Sequence, residues 1–253
     1  MSEPRVLCFD IETAPNIGFT WGKWDQNVIK FVRPWYILCV GYRWLGESET
    51  HVVGIDDFTG NDDWTDDSGV VLHIHELFDQ ADVLVAHNGD RFDIPKARAR
   101  MIIHGLKPPS PSVSVDTLKL ARKEFAFNGN ALSDVCQVLD LGTKMETGGF
   151  ALWEGCMAGD PESWATMKSY CGSDVELLES LYLRLRPWAK VAPNLATIGE
   201  KPKACPRCGS EAGMMARGWR HNAVTSRQRF QCDACGGYSQ GRAIKKSEAH
   251  YVV

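Results

Sequence analysis

No stretch of the 253-residue sequence comes near the roughly 18 consecutive apolar residues that a bilayer span requires, so no membrane segment is expected. The first residues, MSEPRVLC, lack the charged-then-apolar layout of a secretion signal, and a cytoplasmic location is expected. Internal repeats and long low-complexity segments are missing too, which sets aside solenoid and fibrous arrays. With 44% hydrophobic and 24% charged residues, the composition is not that of a disordered chain. It allows one sizeable core, or one core with a small appendage.

Cysteine is plentiful instead, and nine are many for a reducing compartment, so their positions must account for them. Cys8, Cys39, Cys136, Cys156 and Cys171 are scattered among apolar neighbours and read as small buried thiols. Cys205, Cys208, Cys232 and Cys235 form two CxxC pairs, each followed by glycine and separated by 23 residues. Two such pairs point to a tetrahedral four-thiolate zinc site, which can fold a module too small to build its own core. A redox dithiol is the usual meaning of one CxxC and fits two poorly. The net charge of −4 hides an asymmetry: residues 188–253 hold 11 Lys+Arg against 4 Asp+Glu, leaving 17 against 28 in residues 1–187. The tail is thus +7 and the rest −11, as expected if the tail meets a polyanion while the body spends carboxylates on metal or solvation.

The apolar run Val6 to Ile11, bounded by Pro4 and Pro15, has the length and composition of a buried strand. Further strands are expected at Tyr36 to Trp44 and His51 to Ile55, followed by a solvated acidic loop from Asp56 to Asp67. Next come a helix over Val71 to Asp79, a strand over Asp82 to Ala86, and a helix over Ile94 to His104 stopped by Gly105 and Pro108. A short strand near Val113 to Asp116 leads to helices near Leu118 to Phe125 and Leu132 to Leu139. Asp160 with Pro161 marks a helix start whose pattern runs to about Leu185. Strands first, then strand and helix alternating, predict an α/β layer fold with a mixed sheet flanked by helices. Residues 188–203 read as a linker between a body, residues 1–187, and a small domain, residues 204–253, that ends in a loosely held basic tail from Lys246.

Asp10 and Glu12 lie two apart on the first strand and would share one face of an otherwise buried element. Two like charges there are costly unless a cation lies between them, although two acids at a frayed strand end would read alike. The segment HNGDRFD, residues 87–93, follows a strand and opens a helix, where Asp93 would serve as a cap. Tyr170 and Asp174, spaced i, i+4, share a helix face that Leu177, Leu178 and Leu181 continue. An aspartate on that inward face needs a partner.

In this order, FDIET, HNGDRFD and YCGSD resemble the DEDDy branch of the DnaQ-like 3′-to-5′ exonucleases over about residues 5–186, and the second motif resembles that of family-B DNA polymerase proofreading domains. The sister branch carries histidine five positions before the last aspartate; here that position is Ser169, and tyrosine stands at 170. The resemblance implies a ribonuclease-H-like fold and a nuclease that releases nucleoside 5′-monophosphates from a 3′ end in DNA replication or repair. It implies two Mg²⁺ or Mn²⁺ ions, with Asp10, Glu12 and Asp174 on the water-activating one and Asp10 bridging to a second held by Asp93. Tyr170, too weak a base at neutral pH, would orient the water. Asn88 and Phe92 would shape the substrate groove, Phe92 serving equally well as core packing. Trp21, Trp24 and Trp35 suit either a stacking wedge for terminal bases or packing over a sheet edge. Asp116, ahead of a helix, is expected as a cap or support outside the metal set.

The C-terminal cysteines resemble a zinc ribbon with one structural Zn²⁺. Between its knuckles Arg217, Trp219, Arg220, Arg227 and Arg229 mix cations with an aromatic ring, as contacts to nucleic acid require; docking of a protein is the alternative. The expected substrate is a single-stranded 3′ end, DNA ahead of RNA, and the expected partner a separate polymerase or replication protein, with no membrane. An exoribonuclease, or a non-catalytic adaptor on a ribonuclease-H-like body, stays open.

Overall fold

The computed structural model describes residues 3–24, 27–58, 63–222 and 224–245. Strand β1 (Val6–Thr13) is the middle strand of a five-stranded sheet, and its run Val6-Leu7-Cys8-Phe9 is buried throughout, as a strand covered by helices on both faces must be. After it come the hairpin β2 (Ile17–Phe19) and β3 (Lys30–Arg33), then β4 (Ile37–Trp44) and β5 (His51–Gly54). The chain continues through α1 (Ser68–Gln80), β6 (Val83–Ala86), α2 (Asp93–Ile103), β7 (Val113–Asp116), α3 (Thr117–Glu124), α4 (Leu132–Val138), α5 (Ala151–Met157) and α6 (Pro161–Leu185). The strand order is β5-β4-β1-β6-β7, antiparallel from β5 to β1 and parallel from β1 to β7. This is the expected mixed α/β sheet with flanking helices.

Alternation along β1 decides what each helix meets. Leu7, Phe9 and Ile11 join Ile74 and Phe78 of α1 and Ala97 and Met101 of α2, with Phe9 edge-on to Phe78 at 5.0 Å. Val6 and Cys8 turn the other way, toward Val175, Leu178 and Tyr182 of α6. Asp10 and Glu12 continue this second set, so the strand's period of two aims both carboxylates at α6. That helix begins at Asp160, whose carboxylate accepts the Ser163 N–H at 2.9 Å, and Pro161 fills its first position. Burial of Leu178 and Leu181 contributes roughly 1.5–3 kcal/mol each to holding it down. Close approach to β4 depends on Gly41, where a Cβ would lie 2.9 Å from Cys171 Sγ and 3.0 Å from the Cys171 carbonyl oxygen.

Three elements escape the sequence pattern. The β2–β3 hairpin is exposed along nearly all its residues and has no alternation to read. Helix α5 is seven residues long and follows the Gly148-Gly149 pair. Helix α7 (Leu195–Ile198), capped by Asn194, lies within the stretch expected as a linker. Leu195 is buried beside Val6 and Leu178, its N–H donates to the Pro206 carbonyl at 2.9 Å, and the Arg207 guanidinium donates to the Ala189 carbonyl. The acidic loop also departs from expectation at its end. Asp67 is fully buried, where it accepts the Ile37 N–H at 2.9 Å and pairs with Arg100 and His104, because a carboxylate out of water needs charged or N–H partners. Residues 59–62 of that loop lie outside the described residues, as does the expected basic tail from Lys246.

The five scattered cysteines are buried, as expected. Beyond α7, β8 (Met214–His221) pairs with β9 (Thr225–Cys232), which also pairs with β10 (Tyr238–Gln240) and β11 (Ile244–Lys245), all antiparallel. Among the described residues no helix is long and apolar enough to cross a membrane.

Candidate functional site

One turn of α6 separates Tyr170 from Asp174, and the helix lays both against the end of β1. One carboxylate oxygen from each of Asp10, Glu12 and Asp174 lies within 4.8 Å of the others. Asp93, buried at the start of α2, sends Oδ1 to the Ile11 N–H at 3.2 Å. It stands outside that threefold group, yet exerts the largest neighbouring charge on Asp10. Phe92, not Asp93, holds the cap position of α2, and the Asp93 carboxylate is spent on β1.

The carboxylates crowd one another. Burial, then the charges of Asp93, Glu12 and Asp174, holds the Asp10 carboxyl well above its ordinary range. Burial pushes Glu12 up to about 7 against the pull of Lys144, and Asp93 up to about 7 against the hydrogen bond from Ile11. Lys144, from the loop between α4 and α5, answers part of this charge with Nζ 2.7 Å from Asp174 Oδ2. Asp174 Oδ1 is buried without a hydrogen-bond partner among the described residues. An orphaned carboxylate oxygen beside two more acids is costly unless a cation fills the space between them. All the donors are hard oxygens, so the set fits Mg²⁺ or Mn²⁺ and not a thiophilic metal.

Tyr170 is nearly buried, its ring edge-on to Trp153 at 6.1 Å. Burial raises its pKa above the ordinary phenol value, against a hydrogen bond from Lys144, so it stays protonated at neutral pH. Trp153 also hydrogen-bonds Glu12. Phe92 is exposed and does not join the core. Lys96 lies over its ring at 4.6 Å and over Trp35 at 4.2 Å, while Nζ donates to Thr13 Oγ1 at 3.0 Å. Thr13, Trp35, Lys96, Phe150 and the same Trp153 that bonds Glu12 line a cleft of about 410 Å³. Asn88 adopts a left-handed conformation, φ 67°, and its N–H donates to Asp116 Oδ1, which also accepts from Leu118 and so caps α3. Asp116 is thus the expected support. Trp21 and Trp24 stand in solvent, which sets aside packing for both; Trp35 packs on the core.

Sequence reasoning missed Lys144, Trp153 and Lys96. No spacing marks the first two, which reach the site from a glycine-bracketed loop and the short α5. Lys96 carried a weak signal, one turn beyond Asp93 on α2.

The Sγ atoms of Cys205, Cys208, Cys232 and Cys235 also lie within 4.8 Å of one another, with Cys205–Cys235 and Cys208–Cys232 each at 3.8 Å. A tetrahedron of metal–sulfur bonds of about 2.3 Å has edges of about 3.8 Å, so the four thiols fit zinc. Gly209 and Gly236 turn each knuckle in the left-handed region, φ 73° and 70°, and donate N–H bonds to the Cys205 and Cys232 carbonyls. On the adjoining sheet Arg217, Trp219, Arg220, Arg227 and Arg229 are exposed, and Arg220 lies directly opposite Arg227. Like charges so paired repel unless an anion joins them.

Comparison with known proteins gives a consistent picture. The sequence profile of the RNase_H superfamily matches residues 7–186. A segment of 116 residues is 29% identical to the DNA polymerase III PolC-type of Ureaplasma parvum serovar 3, covering 46% of this chain and 8% of that protein. The family B DNA polymerase from the hyperthermophilic archaeon Pyrobaculum calidifontis shares the fold, with a TM-score of 0.50 and 18% identity over 78% of this chain and 27% of that one. The chain therefore spans a minor part of the length of either protein.

Proposed function

This chain belongs to the RNase H superfamily, and from that premise we propose that it is a metal-dependent 3′-to-5′ exonuclease of the DEDDy type, acting on single-stranded DNA in replication or repair. The observation that carries the reading is the cluster of Asp10, Glu12 and Asp174 around an orphaned Asp174 oxygen, with Asp93 beside it and Tyr170 one turn away. Asp10, Glu12 and Asp174 would hold one Mg²⁺ or Mn²⁺, and Asp10 with Asp93 a second. Bound there, the ions would supply a water of lowered pKa and balance charge on the attacking and leaving oxygens. Tyr170 keeps its proton and orients the attacking water through its hydroxyl. Lys144 withdraws from Asp174 to offer its charge to the scissile phosphate. Asn88 and Phe92 line the strand's path.

Both similar proteins are DNA polymerases by name, which supports DNA as substrate and a separate polymerase as the partner served. Residues 1–187 would form the nuclease domain, residues 188–203 its connection, and residues 204–253 a zinc ribbon whose Arg217, Trp219, Arg220, Arg227 and Arg229 grip nucleic acid. The opposed Arg220 and Arg227 favour this over protein docking. Nine cysteines without a disulfide suit the reducing cytoplasm. The test is product identity: with Mn²⁺, purified protein should convert a DNA strand to nucleoside 5′-monophosphates, and Asp10→Ala should not. Release of 3′-monophosphates, or full activity in Asp10→Ala, would sink the assignment.

A further inference from the structure

The β2–β3 hairpin carries a surface that the nuclease site does not explain. Phe19, Trp21, Trp24, Ile29, Phe31 and Val32 are all exposed, Trp21 by 90% and Trp24 by 76%. A lone two-stranded hairpin is marginal in water, and with Val28 these make seven large apolar side chains within 14 residues, more than the single scattered ones that a surface tolerates. Something covers this arm.

Charge and position say what. Lys23, Lys30 and Arg33 are interleaved with the rings, in a region, residues 1–187, whose net charge is −11. Lys23 Nζ lies 5.2 Å over the Trp24 ring. The arm's base is closed by the Ala14 N–H on the Tyr36 carbonyl at 2.9 Å and by the Trp35 N–H on Asn16 Oδ1 at 3.0 Å. That base adjoins the cleft of Thr13, Trp35, Lys96 and Trp153, and Trp153 hydrogen-bonds Glu12. Aromatic rings and fixed cations therefore run from the carboxylates through the cleft to the hairpin.

We propose that the hairpin is a stacking arm for single-stranded nucleic acid, holding the unpaired bases just upstream of the 3′ end. Trp21 and Trp24 are the platforms, and Lys23 and Lys30 face the phosphates. A second copy of this chain, whose residues 1–187 are net −11, could answer the cations as well, but the continuity of the arm with the cleft favours the strand, and the oligomeric state is read in the test. The inference rests on the exonuclease reading for the direction of the strand, and its test is kept separate from that reading.

The test is the affinity of the full-length protein, in metal-free buffer, for a 5′-fluorescein-labelled oligothymidylate of about 12 nucleotides. Trp21→Ala/Trp24→Ala should bind about 10–100-fold more weakly, and Trp21→Phe/Trp24→Phe, which keeps two rings, within about threefold of wild type. A matched oligouridylate shows whether RNA shares the arm. Unchanged affinity in the alanine variant overturns the proposal; so does a change from dimer to monomer in light scattering with affinity kept, which gives the surface to a second copy. Wild-type hydrolysis of thymidine 5′-monophosphate p-nitrophenyl ester with Mn²⁺ tests the chemistry separately. Failure there would sink the exonuclease reading, while loss of affinity would still establish the arm.

Discussion

Metal-free protein should become less stable as the pH rises through the range in which its buried acids titrate, and Mn²⁺ should abolish that trend. The Glu12 carboxyl has an ordinary value of 4.5 and is raised to about 7 in the fold. Between those values the folded state holds a proton that the unfolded chain has released, so stability falls with rising pH from 4.5 to about 7 and levels off above. A shift of about 2.5 units at about 1.4 kcal/mol per unit is roughly 3 kcal/mol. Asp93, also raised to about 7, acts in the same direction, but a proton on either acid relieves the other, so one shift stands for the pair. For a domain of this size that loss lowers the melting midpoint by about 6–12 °C, and solvent reaching the partly exposed Glu12 moves it toward the lower end. The metal binds the ionised acids, so its stabilisation grows with pH. Scanning calorimetry from about pH 5 to about pH 8, in buffer freed of divalent ions and again with Mn²⁺, measures both slopes. Glu12→Gln should flatten the metal-free slope. A metal-free midpoint that stays level or rises with pH, with Glu12→Gln indistinguishable from wild type, would show that these acids are not protonated in the folded state.

Tyr170→Phe keeps the ring against Trp153 and deletes the hydroxyl; turnover should fall by about 10²–10⁴ with oligonucleotide affinity unchanged, and wild-type turnover would reduce Tyr170 to packing. Gly41→Ala puts a Cβ 2.9 Å from Cys171 Sγ and should cost about 1–3 kcal/mol in urea unfolding, with a loss of turnover because α6 shifts away from β1. Elemental analysis should find one zinc per chain, lost in Cys232→Ser; retention of zinc by that variant would remove the four-thiolate site. Replacing Arg220 and Arg227 with alanine should lower the salt dependence of single-strand binding by about 0.7 per lost phosphate contact, and an unchanged slope would turn the ribbon toward protein docking.

Much of the fold was legible because its signals are local. The run Val6 to Phe9 reads as a strand buried on both faces, and Asp160-Pro161 reads as a helix start, both without tertiary information. Asp10, Glu12, Tyr170 and Asp174 were legible because period 2 and period 3.6 place each pair on one face. Asp93 was legible as a position but not in its hydrogen bond, which depends on α2 packing beside β1. Lys144 and Trp153 were silent because only the placement of the loop and α5 against α6 brings them to Asp174 and Tyr170. Asp67 looked like one more solvated acid; its burial depends on Arg100 and His104, more than thirty residues later. The β2–β3 hairpin gave no pattern because exposed residues on both faces leave no alternation.

The most direct test of the central claim is the polarity and metal dependence of cleavage. Single-stranded DNA, duplex DNA and RNA, each labelled at the 5′ end, should be digested by the full-length protein with Mg²⁺, with Mn²⁺ and with EDTA. A ladder of labelled products shortening one nucleotide at a time from the 3′ end of single-stranded DNA is expected with either metal, with none in EDTA and none from Asp174→Ala. Immediate release of labelled mononucleotide, internal cuts, or a ladder that persists in Asp174→Ala would contradict that claim.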